Sequence, residues 1–430
     1  MDDSVTFYNM GFGDASIISN VPPYFDHHSK EENPKVQEAP FNLLVDFGSK
    51  NSEKNADKLS KTIKCACDEI IRRMSMKGVE QNLLITHFHN DHTKFIPKLR
   101  PKSIDNLYIR NIYSDGGAIY TFNLAKLFFA ALTEDEWEEA WDTLSSISGM
   151  FAKLNDKSNI IFVREGARIV KGNFRFDVLS PFANERYYPE DQTNFLSEQL
   201  AEFDNPLISR FLRLFRELQS FINESKKEDR EREEILCLSQ NNLEEFDTIV
   251  SRVTGPFSEG EYYEQVKAIW KENKNNKQLR KSLSDCEHRF NVVFEDRNKG
   301  LLFCGDEESD DMMKILTKKI ENGETCYYHI AKFPHQGTTS HFILESFKNK
   351  YIDYRTDIGV ATLSKRQNYG GLDTRYAYLS RLLVVNDYES FCPKNVHVPS
   401  YIGQPGLKVS LHLLTLALDF DFFQCVRSFV

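Results

Sequence analysis

The sequence has no uninterrupted apolar run approaching the ~18 residues of a membrane-crossing helix. Its first residues enter an alternating strand pattern and not a basic and apolar leader. A cytoplasmic protein with no membrane partner is therefore expected. Cysteine has no paired framework: the eight cysteines stand at 65, 67, 237, 286, 304, 326, 392 and 425, and Cys65-x-Cys67 lacks the second pair of a zinc knuckle. Buried free thiols are expected. Excess positive charge is missing as well. A net charge of −10 and a pI near 5.7 exclude a protein that coats nucleic acid through a general positive field, while leaving room for basic residues confined to one groove. No internal repeat at solenoid spacing is visible.

Against these absences, histidine is concentrated in one place. The apolar run Leu83-Leu84-Ile85 leads through Thr86 into His87-Phe88-His89-Asn90-Asp91-His92, three histidines and one aspartate within six positions. Neutral imidazole nitrogens and a carboxylate oxygen are donors that zinc and similar borderline cations prefer. His87 and His89, two apart in extended chain, share one side, and Asp91 and His92 point to another, so one loop can serve two metals. Crowding imidazoles in one turn gains nothing for folding without a cation.

Further landmarks flank this loop. Val5 to Ile18 reads as a hairpin around Gly11-Phe12-Gly13-Asp14, and Leu43 to Gly48 as a strand ending at Asp46. Leu301 to Asp306 is a short strand with an aspartate at its exit, and Ile330 to Thr338 is another with His335 just past it. Taken in order, these motifs resemble the metallo-β-lactamase superfamily. The exit Val178-Leu179-Ser180-Pro181 and the stretch Lys332-Phe333-Pro334-His335-Gln336-Gly337-Thr338 look most like its competence-protein (ComEC-type) branch, whose members have phosphodiesterase or DNA-degrading roles. The resemblance covers both ends of the chain and leaves the middle unmatched.

It implies an α+β fold, a metallo-β-lactamase-like αββα four-layer sandwich with a helical insertion. Residues 1–181 would be the first half of the domain, 182–285 the insertion, 286–400 the second half, and 401–430 a C-terminal segment without assigned role. It implies two divalent ions, zinc or manganese, with His87 and His89 on the first, Asp91, His92 and His335 on the second, and Asp306 bridging both. Asp91 and Asp306 are the carboxylates it places in catalysis, with a metal-activated water as nucleophile. Asp46 would support the metal loop. In the loop 364–371, Lys365, Arg366 and Asn368 become candidates for phosphate contact.

Two departures stand out. The superfamily usually supplies a histidine between the first cluster and the bridging aspartate, yet none occurs between His92 and His288, so the first metal is expected to lack a ligand, and a one-metal site stays open. Gln336 stands where the competence-like pattern usually has a second histidine, and His335 is taken as the ligand.

The remaining segments read as scaffold. Leu59, Ile63, Ala66, Ile70 and Met74 recur at helical intervals over 55–76, and Gln81 to Thr86 is a buried strand. Lys94, Lys98, Arg100 and Lys102 form a local positive run that favours an anionic substrate. After a strand at 106–113, Tyr120 to Asn155 reads as helical, with a capping box at Thr133 and Glu136 and Trp137, Trp141 and Leu144 in the core. Short strands at 159–163, 168–170 and 174–179 read as a meander opening the second half. Between 182 and 285 the pattern is helical, with Leu207, Phe211, Phe215, Leu218 and Ile222 on one face and the charge run Lys226 to Glu234 beyond. This is a candidate lid or protein-partner surface. His27 and His28 fall in a Pro-rich loop, as an exposed pair. Strands at 290–295, 301–304, 327–333 and 358–363 and a helix at 312–320 complete the pattern.

The expected function is a metal-dependent hydrolase acting on a phosphodiester, DNA or a nucleotide. A small-molecule ester or thioester hydrolase is one alternative, because one scaffold hosts many chemistries. A noncatalytic binding or regulatory subunit with a degenerate site is the other.

Overall fold

The computed structural model describes residues 3–21, 39–51, 58–110, 134, 136–141, 153–183, 235–238, 259–343, 354–362, 372–373, 375–385, 406–411 and 419–422. In chain order, β1 (Ser4–Tyr8), β2 (Ser16–Ser19) and β3 (Phe41–Val45) are followed by α1 (Lys58–Arg73), β4 (Glu80–Leu84), the short α2 (Asn90–Thr93), β5 (Ile104–Arg110) and β6 (Leu154–Val163). Then come β7 (Arg168–Lys171), β8 (Phe174–Ser180), β9 (Ile235–Leu238), α3 (Glu259–Asn273), α4 (Lys277–Arg289), β10 (Val293–Asp296), β11 (Leu301–Phe303) and α5 (Ser309–Glu321). β12 (Cys326–Lys332), β13 (Tyr354–Ala361), α6 (Tyr376–Leu379), β14 (Ser380–Val385), β15 (Gly406–Ser410) and β16 (Asp419–Phe422) complete the set.

The strands form two mixed sheets. One has nine strands in the order β16-β15-β1-β2-β3-β4-β5-β6-β9, the other seven in the order β14-β13-β12-β11-β10-β8-β7. Alternation of side chains explains the layering. In β3, Phe41, Leu43 and Val45 join the cluster between the sheets, while Leu44 faces the other way, toward Ile63, Ala66 and Ile70 of α1. On the second sheet, Leu302, Tyr328 and Ala331 share a cluster with Met312, Ile315 and Leu316 of α5. Aromatic rings bridge the interior: Phe303 stacks on Phe294 at 4.9 Å and on Phe7 of the opposite sheet at 6.0 Å, and Phe41 meets Phe174 edge-on at 5.6 Å.

Four asparagines cross the parallel part of the first sheet. Asn82 donates to the Asn42 carbonyl, Asn106 donates to Asn82 Oδ1 at 2.8 Å and Asn159 donates to Asn106 Oδ1 at 2.9 Å. A one-residue slip would break each bond and strand buried amides, so the row pins register.

Four expectations change. Residues 159–163 do not open the second half: β6 pairs in parallel with β5 in the first sheet, and only β7 and β8 belong to the second. The segment 182–285 is not wholly helical, because β9 pairs antiparallel with β6, and its last helix, α4, runs on through 285 to Arg289. The 401–430 segment gains a place, since β15 pairs with β1 and β16 with β15. Cys65 is disulfide-bonded, and among the described residues Cys67, Cys304 and Cys326 are buried thiols outside any disulfide. Trp137 does lie in the core, 5.7 Å from Trp270 of α3. Among the described residues no helix is long and apolar enough to cross a membrane. The stripe from Leu207 to Ile222, His27 and His28 lie outside the described residues.

Truncating the ring at the centre of the inter-sheet stack should be costly. Phe303→Ala is expected to lower unfolding stability by about 3 to 5 kcal/mol, read as a reduced denaturation midpoint with an unchanged denaturant slope.

Candidate metal centre

The site collects at the C-terminal ends of parallel strands, where open α/β sheets present their loops. β3 delivers Asp46, β4 the histidine loop, β11 Asp306, and β12 His335 and Gln336. The histidine loop changes conformation midway. His89 is extended (φ −65, ψ 153) and α2 begins at Asn90, so His87 and His89 leave from extended chain while Asp91 and His92 leave from a helical turn. The switch turns the chain between the two pairs, although the His87 and His92 rings still lie 4.1 Å apart.

Asp46 clamps the loop as expected. Its carboxylate accepts the Thr86 backbone N–H at 2.8 Å and the Thr86 hydroxyl at 2.7 Å, and lies 2.8 Å from His92 Nδ1. The loop after β3 packs against α2 backbone to backbone: Phe47 N–H donates to the His92 carbonyl at 2.6 Å, and a Cβ at Gly48 would fall 2.5 Å from His92 N. Only glycine fits at 48. Asp46, His335 and Gln336 adopt positive φ (57°, 46° and 55°), a region costing L-residues roughly 1–2 kcal/mol each. Strain of this kind persists where surrounding structure enforces it; here His335 N–H is held by the Gly305 carbonyl at 2.9 Å.

Asp306 stands at the centre and its two oxygens face different ways. Oδ1 lies 3.3 Å from His92 Nε2 and 3.3 Å from the Gln336 amide nitrogen, and Oδ2 lies 3.8 Å from His87 Nε2 and 3.8 Å from His335 Nε2. On the Oδ2 side, His87 Nε2 and His89 Nδ1 are 3.1 Å apart. His87, His89 and His288 form a group whose ligand atoms lie within 4.8 Å of one another, as do His87, His92 and Asp306. A tetrahedral zinc with bonds of 2.0–2.1 Å needs donors roughly 3.3 Å apart, so this packing fits a small cation.

Two corrections follow. The first group does not lack a histidine: His288, at the C-terminal end of α4, packs at 5.0 Å from the His89 ring and 5.8 Å from the His87 ring. No local motif marks His288, which stands three residues past the expected end of the insertion, in the last turn of a helix that crosses that boundary. And His335 does not join Asp91 and His92. It groups with His288 and His341, while the residue beside Asp91 and His92 is Gln336, whose amide nitrogen lies 3.4 Å from Asp91 Oδ2 and 3.2 Å from His92 Nε2. The left-handed turn at 335–336 sends consecutive side chains to opposite sides of Asp306.

Residues that no motif singled out for the site complete it. Asp14 lies 3.8 Å from His92 and is held by Lys332 and by the Thr362 hydroxyl at 2.6 Å. Lys50 approaches Asp91 at 3.9 Å. Glu287 and Arg110 form a bidentate pair at 2.9 and 3.0 Å with both side chains 1% exposed, and Glu287 also accepts the Phe88 N–H at 3.3 Å. This pair ties the end of β5 to α4 and to the histidine loop. Of the basic run after the loop, Lys98 lies over the Phe95 ring at 4.5 Å. Lys365, Arg366 and Asn368 lie outside the described residues.

Protonation suits cation binding on one side. Burial, reinforced by His92, holds His87 well below the usual imidazole value; burial and His288 do the same for His89, and burial and His341 for His335. Each therefore keeps one ring nitrogen with an unprotonated lone pair. His92 goes the other way: burial opposes its charge, but the Asp306 and Asp46 carboxylates raise it well above the usual value. Burial would raise Asp306, but His92 and His335 bring it well below the carboxylate range.

No family model, no curated protein and no solved structure matches the chain.

Two outcomes are expected. Glu287→Ala, which leaves Arg110 buried and uncompensated, should cost about 3 to 5 kcal/mol, and Arg110→Met with Glu287→Leu should restore most of it; denaturant titration of the three variants checks this. In chelator, His87, His89 and His335 take up protons only on unfolding, so stability should fall as pH drops below the ordinary imidazole value of 6.5. The stability contributed by His92 and His288, whose values are raised, is complete below 6.5 and lost as pH rises through their folded values. Urea midpoints measured from about pH 5 to about pH 8 should peak near the middle.

Proposed function

We propose that the chain is a metal-dependent hydrolase with a metallo-β-lactamase-like αββα sandwich, acting on phosphodiesters such as DNA or a nucleotide. The observation that carries the reading is the divided carboxylate of Asp306, with His87 and His335 toward one oxygen and His92 and Gln336 toward the other, and with His89 and His288 grouped around His87. α1 on one sheet and α5 on the other support the layer assignment.

His87, His89 and His288 would hold one ion, Asp91 and His92 a second, with Asp306 between them. Divalent ions in such a site lower the pKa of water and polarise phosphoryl oxygens. The chain's own part is positional. Asp46 and Thr86 orient His92 through Nδ1, leaving Nε2 toward Asp306. Lys50, near Asp91, adds positive charge that favours an anionic substrate.

One observation favours a second reading. Gln336 places a neutral amide nitrogen among Asp91, His92 and Asp306, a hydrogen-bond donor where a second cation would otherwise stand. The second locus would then be a hydrogen-bonded support and the first would bind alone.

Elemental analysis beside His89→Ala and Asp306→Ala, followed by assays on bis(p-nitrophenyl) phosphate and single-stranded DNA with zinc or manganese, separates these readings. The proposal expects two ions per chain and cleavage, both lost in the variants with the fold retained. One ion per chain selects the second reading. No bound metal and no cleavage under any cation would sink both and leave a binding subunit.

A further inference from the structure

Glu308 immediately precedes α5, at its N-cap, with extended backbone (φ −68, ψ 146), yet its side chain makes no cap hydrogen bond. A carboxylate at an N-cap ordinarily accepts a bond from the first turn. Here it turns toward two imidazoles instead: Oε1 lies 3.3 Å from His288 Nδ1 and 3.2 Å from His341 Nε2. An ionised carboxylate only accepts, so both nitrogens must carry the hydrogen. Those two nitrogens are also 3.3 Å apart, and with both bonds to the carboxylate made neither ring has a proton left to give the other.

The direction then propagates. With its hydrogen on Nε2, His341 turns Nδ1 to the Ser340 hydroxyl, which donates to it at 2.9 Å. Ser340, having donated its proton, accepts from the Thr338 hydroxyl at 3.2 Å, and Thr338 accepts from His335 Nδ1 at 2.7 Å. The His335 ring stacks on His341 at 4.2 Å with an interplanar angle of 10°, so neither ring turns without the other.

We infer that Glu308 is a positioning residue that sets the tautomers of His288 and His335, one directly and one through His341, Ser340 and Thr338. Both rings carry hydrogen on Nδ1 and turn Nε2 lone pairs toward the Asp306 side, where His335 Nε2 lies 3.8 Å from Oδ2. This inference rests on the metal-centre reading for its consequence, since outer partners of metal-binding histidines fix ring orientation and typically contribute 10- to 100-fold to affinity.

The test has two readouts. Histidine nitrogen chemical shifts of the metal-free wild-type protein, read on the singly protonated rings, should show Nδ1–H for His288 and His335 and Nε2–H for His341; a singly protonated His335 or His288 with its hydrogen on Nε2 overturns the inference whether or not metal binds. Zinc affinity by chelator competition should fall roughly 10- to 100-fold in Glu308→Ala, less in Glu308→Gln, which keeps an acceptor oxygen, and less in Ser340→Ala, which cuts only the His335 branch, with Ser340→Thr close to wild type. Affinity in Glu308→Ala within twofold of wild type overturns the positioning role. A wild-type protein that binds no zinc overturns the metal-centre reading instead, and the tautomers still decide the hydrogen-bond chain.

Discussion

The buried pair of Arg110 and Glu287 is the constraint on which the centre depends. It joins three parts of the chain that are distant in sequence: the end of β5, the last turn of α4 and the histidine loop, through the Phe88 N–H. Arg110 also donates toward the Glu287 and Phe290 carbonyls and lies over the Phe88 ring at 4.8 Å. Two charges taken out of water are expensive unless their geometry is good and their other bonds are made. Here both Glu287 oxygens accept from Arg110 Nη2, and Nη1 turns toward the two carbonyls. Because His288 is the next residue after Glu287, fixing Glu287 also fixes where the third imidazole of the first group stands.

The rest of the site follows from strand direction and enforced strain. Parallel pairing brings the carboxyl ends of β3 and β4 together in one sheet and those of β11 and β12 in the other, so carboxylates and imidazoles meet from both sheets at one end of the interior. Left-handed backbone at Asp46, His335 and Gln336 aims the side chains. The outcome at 335–336 is a division of labour: the histidine faces one oxygen of Asp306 and the glutamine the other.

Electrostatics reinforces the division. His87, His89 and His335 are kept neutral chiefly by burial, whereas His92 lies between the carboxylates of Asp46 and Asp306 and keeps its proton. The chain thus presents an uncharged imidazole face and a charge-compensated carboxylate face around one aspartate. A cation meets lone pairs on the first and a hydrogen-bonded amide on the second. That asymmetry gives the two loci different demands on metal.

Local pattern in the sequence was enough to locate the histidine loop, the strands before Asp46, Asp306 and His335, the helical stripe of α1 and the burial of Trp137, because each is expressed within ten or so consecutive residues. Sheet membership was not legible: β6 and β7 look alike in sequence, and long-range pairing alone sends them to different sheets. Nor was the role of His288, which reads as the polar end of a helix until Arg110, some 180 residues away in sequence, draws that helix onto the loop. Glu308 resembles an ordinary helix cap until the imidazoles it faces are in place. Residue type and spacing determined the donors this protein carries. Which donors share a face of Asp306 was decided by the tertiary structure, because strand pairing, a buried ion pair and a left-handed turn set directions that no short stretch of sequence encodes.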